Sequence, residues 1–91
     1  MKLEIVSPEA QLFSGEVESI TLPGALGSFQ ILNNHAPIVS TLVSGVVEIQ
    51  GNLIFEEENK TKFTQKGNVF CLEINSGVIE LIDNKAILLT D

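Results

Sequence analysis

Apolar residues along this chain come in short runs, each closed by a turn signal. Brief β-branched and aliphatic runs with regular punctuation read as strands rather than helices. They predict strands over residues 3–6, 11–14, 17–22, 29–32, 38–43, 46–50, 53–57, 60–64, 68–74, 78–82 and 86–90, one or two of which should merge or shorten. Gly51-Asn52, between Gln50 and Leu53, reads as a two-residue hairpin turn, because Gly and Asn tolerate positive φ. Glu58-Asn59, Gln65-Lys66-Gly67 and Asp83-Asn84 read as further turns, and Ser7-Pro8-Glu9 as a turn after the first strand. No helix of useful length is predicted. A single helical turn over residues 7–13 is the nearest approach, with Pro8 suited to a first helical position. The expected fold is all-β: one domain over residues 1–91, a two-sheet sandwich of about ten short, mostly antiparallel strands.

Several of these strands are apolar at both parities. Val46 stands beside Val47, Val69 beside Phe70, Val78 beside Ile79, and Ile87 beside Leu88 and Leu89. Neighbours in a strand point to opposite faces, so a free sandwich needs only every second residue apolar. The surplus predicts an outer face covered by a partner. Residues 24–37 stand apart too. They gather Gly24, Gly27, the only histidine and Pro37 around Leu26, Phe29, Ile31 and Leu32. Such a stretch is a set of demanding turns, a docking point, or both.

Composition narrows the functions. The chain has 91 residues and a formal net charge of −7, from five lysines, no arginine and twelve acids. That balance argues against nucleic acid and against direct adsorption to anionic lipid. One cysteine, Cys71, excludes an internal disulfide, and one histidine beside it excludes a Cys/His metal cluster. Residues 1–6 lack a signal-peptide core and no run reaches a membrane span, so the chain reads as soluble and cytosolic. The triplet Glu56-Glu57-Glu58 reads as a solvated hairpin end.

Catalysis finds little support. A Cys71–His35 dyad would need both groups within hydrogen-bond reach. Cys71 instead sits mid-strand on the side of Val69 and Glu73, where a cysteine acts as a small hydrophobe. Glu16 and Glu18 share a predicted strand face without a cleft, and Glu80 reads as solvent-facing. Gly24 and Gly27 form Gly-x-x-Gly, with no Lys-Ser/Thr and no helix to make a phosphate loop. No catalytic residue, cofactor site or metal site is assigned.

Motifs taken in order resemble one family. Phe13-Ser14-Gly15-Glu16-Val17 is similar to the F-x-G-x-V start of the F-type ATP synthase epsilon subunit, called delta in mitochondria. Residues 27–37, from Gly27-Ser28-Phe29 to His35-Ala36-Pro37, resemble its G-x-(F/L)-x-(I/V)-L-x-x-H-(A/I)-P segment, and Gly45 fits its next glycine. Ser76-Gly77-Val78-Ile79-Glu80-Leu81 and residues 84–91 resemble its two closing elements. Asn33-Asn34 stands where many relatives have Pro-Gly, and Ser28 where many have glutamate. Gln30 replaces a frequent glycine, and Ser76 the first glycine of a pair.

The resemblance implies the N-terminal β-sandwich of a non-catalytic rotor subunit. It would bind the gamma subunit, rest on polar loops of the membrane c-ring and couple ion flow to ATP synthesis. It would sit at the cytoplasmic face of the bacterial inner membrane, touching the membrane only through the complex. Ser28, Phe29, Asn33, Asn34 and His35 are the implied ring-facing residues, with Ser28 and His35 at one end of the sandwich; no gamma-binding residue is assigned. Where Ser28 replaces a glutamate it offers only a neutral hydrogen bond, about 0.5–1.5 kcal/mol net. Relatives commonly continue into a helical hairpin past the segment matching Asp91; on these residues, inhibition through that hairpin and its nucleotide site are not expected. The alternative is a free-standing β-sandwich binding module, and the apolar face leaves a homodimer open for the isolated chain.

Overall fold

The computed structural model describes residues 1–55 and 57–91, without the side chains of residues 57 and 58. Among these residues the strands are β1 (Lys2–Val6), β2 (Gln11–Glu16), β3 (Ser19–Gly24), β4 (Gly27–Leu32) and β5 (Ile38–Leu42). They continue as β6 (Gly45–Gln50), β7 (Thr64–Lys66), β8 (Val69–Ile74), β9 (Gly77–Ile82) and β10 (Lys85–Thr90). A short 3-10 helix, Glu57–Lys62, lies between β6 and β7. The hydrogen-bonded order is β2-β1-β10-β9-β5-β3-β6-β8-β7, with β4 attached to β3. The pairing is antiparallel except for β1 with β10, which run parallel.

β3 makes the corner. β4 pairs with all six of its residues, so β5 and β6 must share its other edge. β6 takes Ser19 to Thr21 and β5 takes only Gly24. The curled sheet thus folds into two layers, β2-β1-β10-β9-β5 and β4-β3-β6-β8-β7, as the sandwich expectation requires. Leu3, Ile5, Ile20, Leu22, Ile31 and Ile49 fill the space between them, fully buried. Each contributes about 1.5–3 kcal/mol of burial free energy.

Four expectations are corrected. Residues 17–22 do not start a strand at Val17. Val17 N–H donates to Met1 O and Glu18 N–H to Gln50 O, which holds both in a turn. Glu16 therefore ends β2 while Glu18 lies outside it, and the two share no strand face. Second, Gly51-Asn52 closes no hairpin. β6 pairs with β8, and Gly51 N–H goes on to Asn68 O at 3.3 Å, so residues 53–55 of the predicted 53–57 strand have no ladder to join, Glu56 lying outside the described residues. Third, residues 60–64 are mostly the 3-10 helix, which also takes in the predicted Glu58-Asn59 turn; the strand begins at Thr64. Fourth, residues 7–13 hold no helical turn. Ser7 N–H donates to Ala10 O at 2.9 Å, and β2 begins at Gln11. The predicted solvated hairpin end at the glutamate triplet includes Glu56, which lies outside the described residues, and Glu57 and Glu58 open the 3-10 helix instead.

Long-range packing explains the second and third corrections. Phe55 lies 5.4 Å from the Phe13 ring, 4.3 Å from Phe63 and 5.2 Å from Phe70. Phe13 is on β2 and Phe70 on β8, in opposite layers. Asn59, 4% exposed, donates its Nδ2–H to Gln11 O at 3.1 Å. This segment straps the layers together where no strand pair does. β2 contributes a bulge: Ile5 faces Phe13 but Val6 faces Gln11, leaving Leu12 extra. The bulge turns both Leu12 and Phe13 inward, against strict alternation.

Candidate docking surface

The β3–β4 hairpin turns through Ala25-Leu26, and glycine is needed on both sides. A Cβ on Gly24 would lie 2.8 Å from the Phe29 ring and 2.9 Å from Gly27 O, and Gly27 has φ +123°. The tip leaves Leu26 fully exposed and Ser28 exposed opposite Pro23. Phe29 then turns inward opposite Leu22, half-buried against the core. Ile31 is buried opposite Ile20.

Beyond Leu32 the chain turns on Asn34, at φ 64°. Side-chain amides lock this turn to the β9–β10 turn, where Asp83 and Asn84 have φ 49° and 59°. That pair makes the expected turn, and its two positive φ values make it the two-residue primed kind that Gly51-Asn52 was expected to form. Asn34 N–H donates to Asn84 Oδ1 at 2.7 Å, and Asn84 Nδ2–H to Asn33 Oδ1 at 3.1 Å. The Met1 α-amino group also reaches Asn33 Oδ1, at 2.6 Å. His35 Nδ1 meets Ala36 O at 2.7 Å. The ring is exposed and held to the backbone by this contact.

The five sequence-selected residues therefore do not form one contact. Ser28 is the second residue of β4 and His35 follows its far end. A six-residue strand spans about 17 Å, so Ser28 sits at one end of the sandwich and Asn33, Asn34 and His35 at the other. The expectation that Ser28 and His35 share an end is corrected. Phe29 is committed to the core side. Cys71 is half-buried in a shallow groove with Val46, Lys62, Thr64, Lys66 and Glu73, and His35 does not line it. Glu80 is exposed, as expected. Among the described residues no group of three His, Cys, Asp or Glu side chains could hold a metal ion, and no helix is long and apolar enough to cross a membrane. One carboxyl is shifted: Asp91 is lowered to about 2, chiefly by hydrogen bonds from Asn75, whose backbone N–H lies 3.1 Å from Oδ1.

A different feature organises the surface. Between Glu18 and Glu48 there is no Asp, Glu, Lys or Arg. This uncharged stretch forms β3, β4, β5 and the start of β6. Most of the exposed large apolar side chains belong to it: Leu26, Leu32, Val39, Val43 and Val46. Its signal lay in the sequence as a gap in the charge pattern rather than as a motif. The outer face of the first layer continues it. Strand register sets Val6, Leu89, Val78 and Thr41 in one row, and Glu4, Ile87, Glu80 and Val39 in the next. Val39 is 70% exposed and Leu89 51%. The surplus apolar parity read from the sequence thus falls partly on this face, at Val78, Ile87 and Leu89, and partly on the second layer, where Val46 and Val69 turn outward. The second layer's outer face is different: Gln30, Thr21, Glu48, Cys71 and Thr64 form one row across it.

Comparison with known proteins agrees with this architecture. The family described as ATP synthase, Delta/Epsilon chain, beta-sandwich domain matches residues 1–91. An ATP synthase epsilon chain of Leptospira interrogans is 38% identical over the whole chain, which spans 61% of that relative's length. The epsilon chain of Chlorobium limicola is 39% identical over 99% of this chain and 88% of its own. Among solved structures, the central stalk and c-ring of the Tetrahymena thermophila mitochondrial ATP synthase contains a similar fold, at TM-score 0.71 and 17% identity. That match covers 99% of this chain and 62% of the other. With its whole length matched and its sandwich architecture in place, the chain belongs to the ATP synthase delta/epsilon β-sandwich family.

Proposed function

We propose that this chain is a non-catalytic rotor subunit of an F-type ATP synthase, docking the gamma subunit to the polar loops of the c-ring and coupling ion flow to ATP synthesis. The observation that carries the reading is the uncharged stretch of residues 19–47 on a chain of net charge −7. Across β4, β5 and the hairpin tip no charge would have to be desolvated against a partner, and apolar side chains are exposed there instead; on the adjoining face Glu4 and Glu80 stand in the row of Ile87 and Val39. Family membership supplies the identity of the partners.

The two partners take different surfaces. Gamma lies against the apolar outer face of the first layer, around Val39, Val78, Ile87 and Leu89. The ring meets the Leu26–Ser28 tip, which projects beyond the core. The opposite end is internally bonded through Asn33 and Asn84 and carries Glu16, Glu18 and Asp83. In this reading Asn33, Asn34 and His35 hold the β4–β5 turn rather than touch the ring.

The experiment is crosslinking in an assembled synthase, with Cys71→Ser as background. Ser28→Cys should crosslink to cysteines in the ring loops, and His35→Cys should not. Ring crosslinks from His35→Cys alone would reverse the orientation. Failure of the parent chain to bind its gamma subunit at low salt would sink the rotor reading and favour a free-standing binding module.

A further inference from the structure

A free sheet edge displays unpaired N–H and C=O groups, and proteins ordinarily blunt such edges with bulges, charges, short strands or cover. Two edges of this sandwich are blunted. β2 is broken by the Leu12 bulge, and the strap covers it through Phe55 on Phe13 and Asn59 on Gln11 O. β7 is three residues long and ends on Lys66.

β4 has none of these devices. It runs six residues in unbroken register with β3, without proline or charge. Gly27, Ser28, Gln30 and Leu32 are exposed. Among the described residues its one further main-chain bond is Leu32 O, which accepts from His35 N–H at 3.2 Å. In an antiparallel ladder every second residue turns its N–H and C=O away from the partner strand. β4 therefore presents about three donor–acceptor sets outward.

We propose that this edge takes an extended strand of the gamma subunit by main-chain pairing, lengthening the second layer by one strand. The proposal rests on the rotor reading above. Main-chain bonds would hold the strand and the outward side chains would select it. Leu32 asks for an apolar neighbour and Gln30 for a small polar one, while Ser28 stays at the tip given to the ring. A charged partner residue would find no counter-charge anywhere on β3, β4 or β5. Two observations favour gamma over a second copy. The edge belongs to the same uncharged stretch as Val39, which the rotor reading places in the gamma face. A second copy would bring another net charge of −7 alongside the first.

Hydrogen exchange on the isolated chain and on its complex with gamma tests this. Exchange of the outward β4 amides should slow at least ~10-fold on binding. Gln30→Lys and Gln30→Glu change an exposed side chain, leave folding intact, and should each weaken gamma binding about tenfold, because either charge is stranded at the pairing edge. Gln30→Thr, a good strand former, should bind like the parent. Gamma binding with unchanged β4 exchange and unaffected Gln30→Lys would overturn the edge proposal while the rotor reading stood. Absence of any gamma binding would remove both. Protection of β4 that grows with protein concentration alone, with dimers in sedimentation, would make a second copy the occupant and overturn the assignment.

Discussion

Between β2 and β8 the gap separating the two layers is filled by Phe13, Phe55, Phe63 and Phe70, with Asn59 bonded across it. Along β4 nothing comparable is present: the strand edge is bare, uncharged and flanked by exposed Leu26 and Leu32. Both regions are rich in apolar residues, yet they put them to opposite use. The first buries aromatic area within the chain, where it contributes to folding. The second leaves aliphatic area exposed, where it contributes only when a partner arrives. Mutations in the first should act on stability and those in the second on binding, which makes the contrast breakable by experiment.

The largest effect is expected on the sealed side. Phe70→Ala removes a buried ring that Phe55 packs against and should cost about 3–4 kcal/mol in urea unfolding. In a domain this small, that is a large part of the total. A loss below about 1 kcal/mol would show that the strap does not close the sandwich. Next comes the hairpin that carries the bare side. Gly24→Ala should cost about 1–3 kcal/mol, because its Cβ would collide with the Phe29 ring and Gly27 O. Asn59→Ala should cost about 1–2 kcal/mol by leaving Gln11 O without its donor. Val39→Lys should change stability by less than about 0.5 kcal/mol, yet weaken gamma binding at least tenfold. A matching loss of stability would break the division between the two regions.

The smallest effect is one of pH. Asp91 is lowered from 3.8 to about 2 by hydrogen bonds from Asn75, Thr90 and Ser76. A carboxylate with a depressed folded-state pKa stabilises fully above its ordinary value, and that contribution fades as pH falls toward 2. Between about pH 4 and pH 2 the Asp91→Asn chain should therefore show a shallower fall in melting temperature than the parent. Identical slopes would mean the turn at Asn75-Ser76 does not depend on the charge.

Strands were legible wherever the ladder partner lies nearby or the pattern alternates. β9, the Asp83-Asn84 turn and β10 follow from apolar runs around two residues that accept positive φ. Residues 53–57 were not. Leu53-Ile54-Phe55 has the composition of a strand, but β8 already occupies the edge of β6. Phe55 gains more from three aromatic rings than from an edge position. The Leu12 bulge was equally hidden, since two adjacent inward residues look like any apolar pair. The candidate site divided in the same way. Its residues were visible as a cluster in sequence, whereas their separation along β4 was not, because sequence proximity says nothing of strand direction.

By itself the sequence determined the all-β class, the sandwich, the absence of charge along its middle third and the family to which it belongs. Those follow from local periodicity, composition and ordered motifs, which need no knowledge of what meets what. Only the tertiary structure decided that Ser28 and His35 lie at opposite ends, that Val39, Val78, Ile87 and Leu89 share one outer face, and that the β4 edge is left unguarded. Each of these depends on register between strands distant in the chain, and register is set by packing of the whole core rather than by any segment of it.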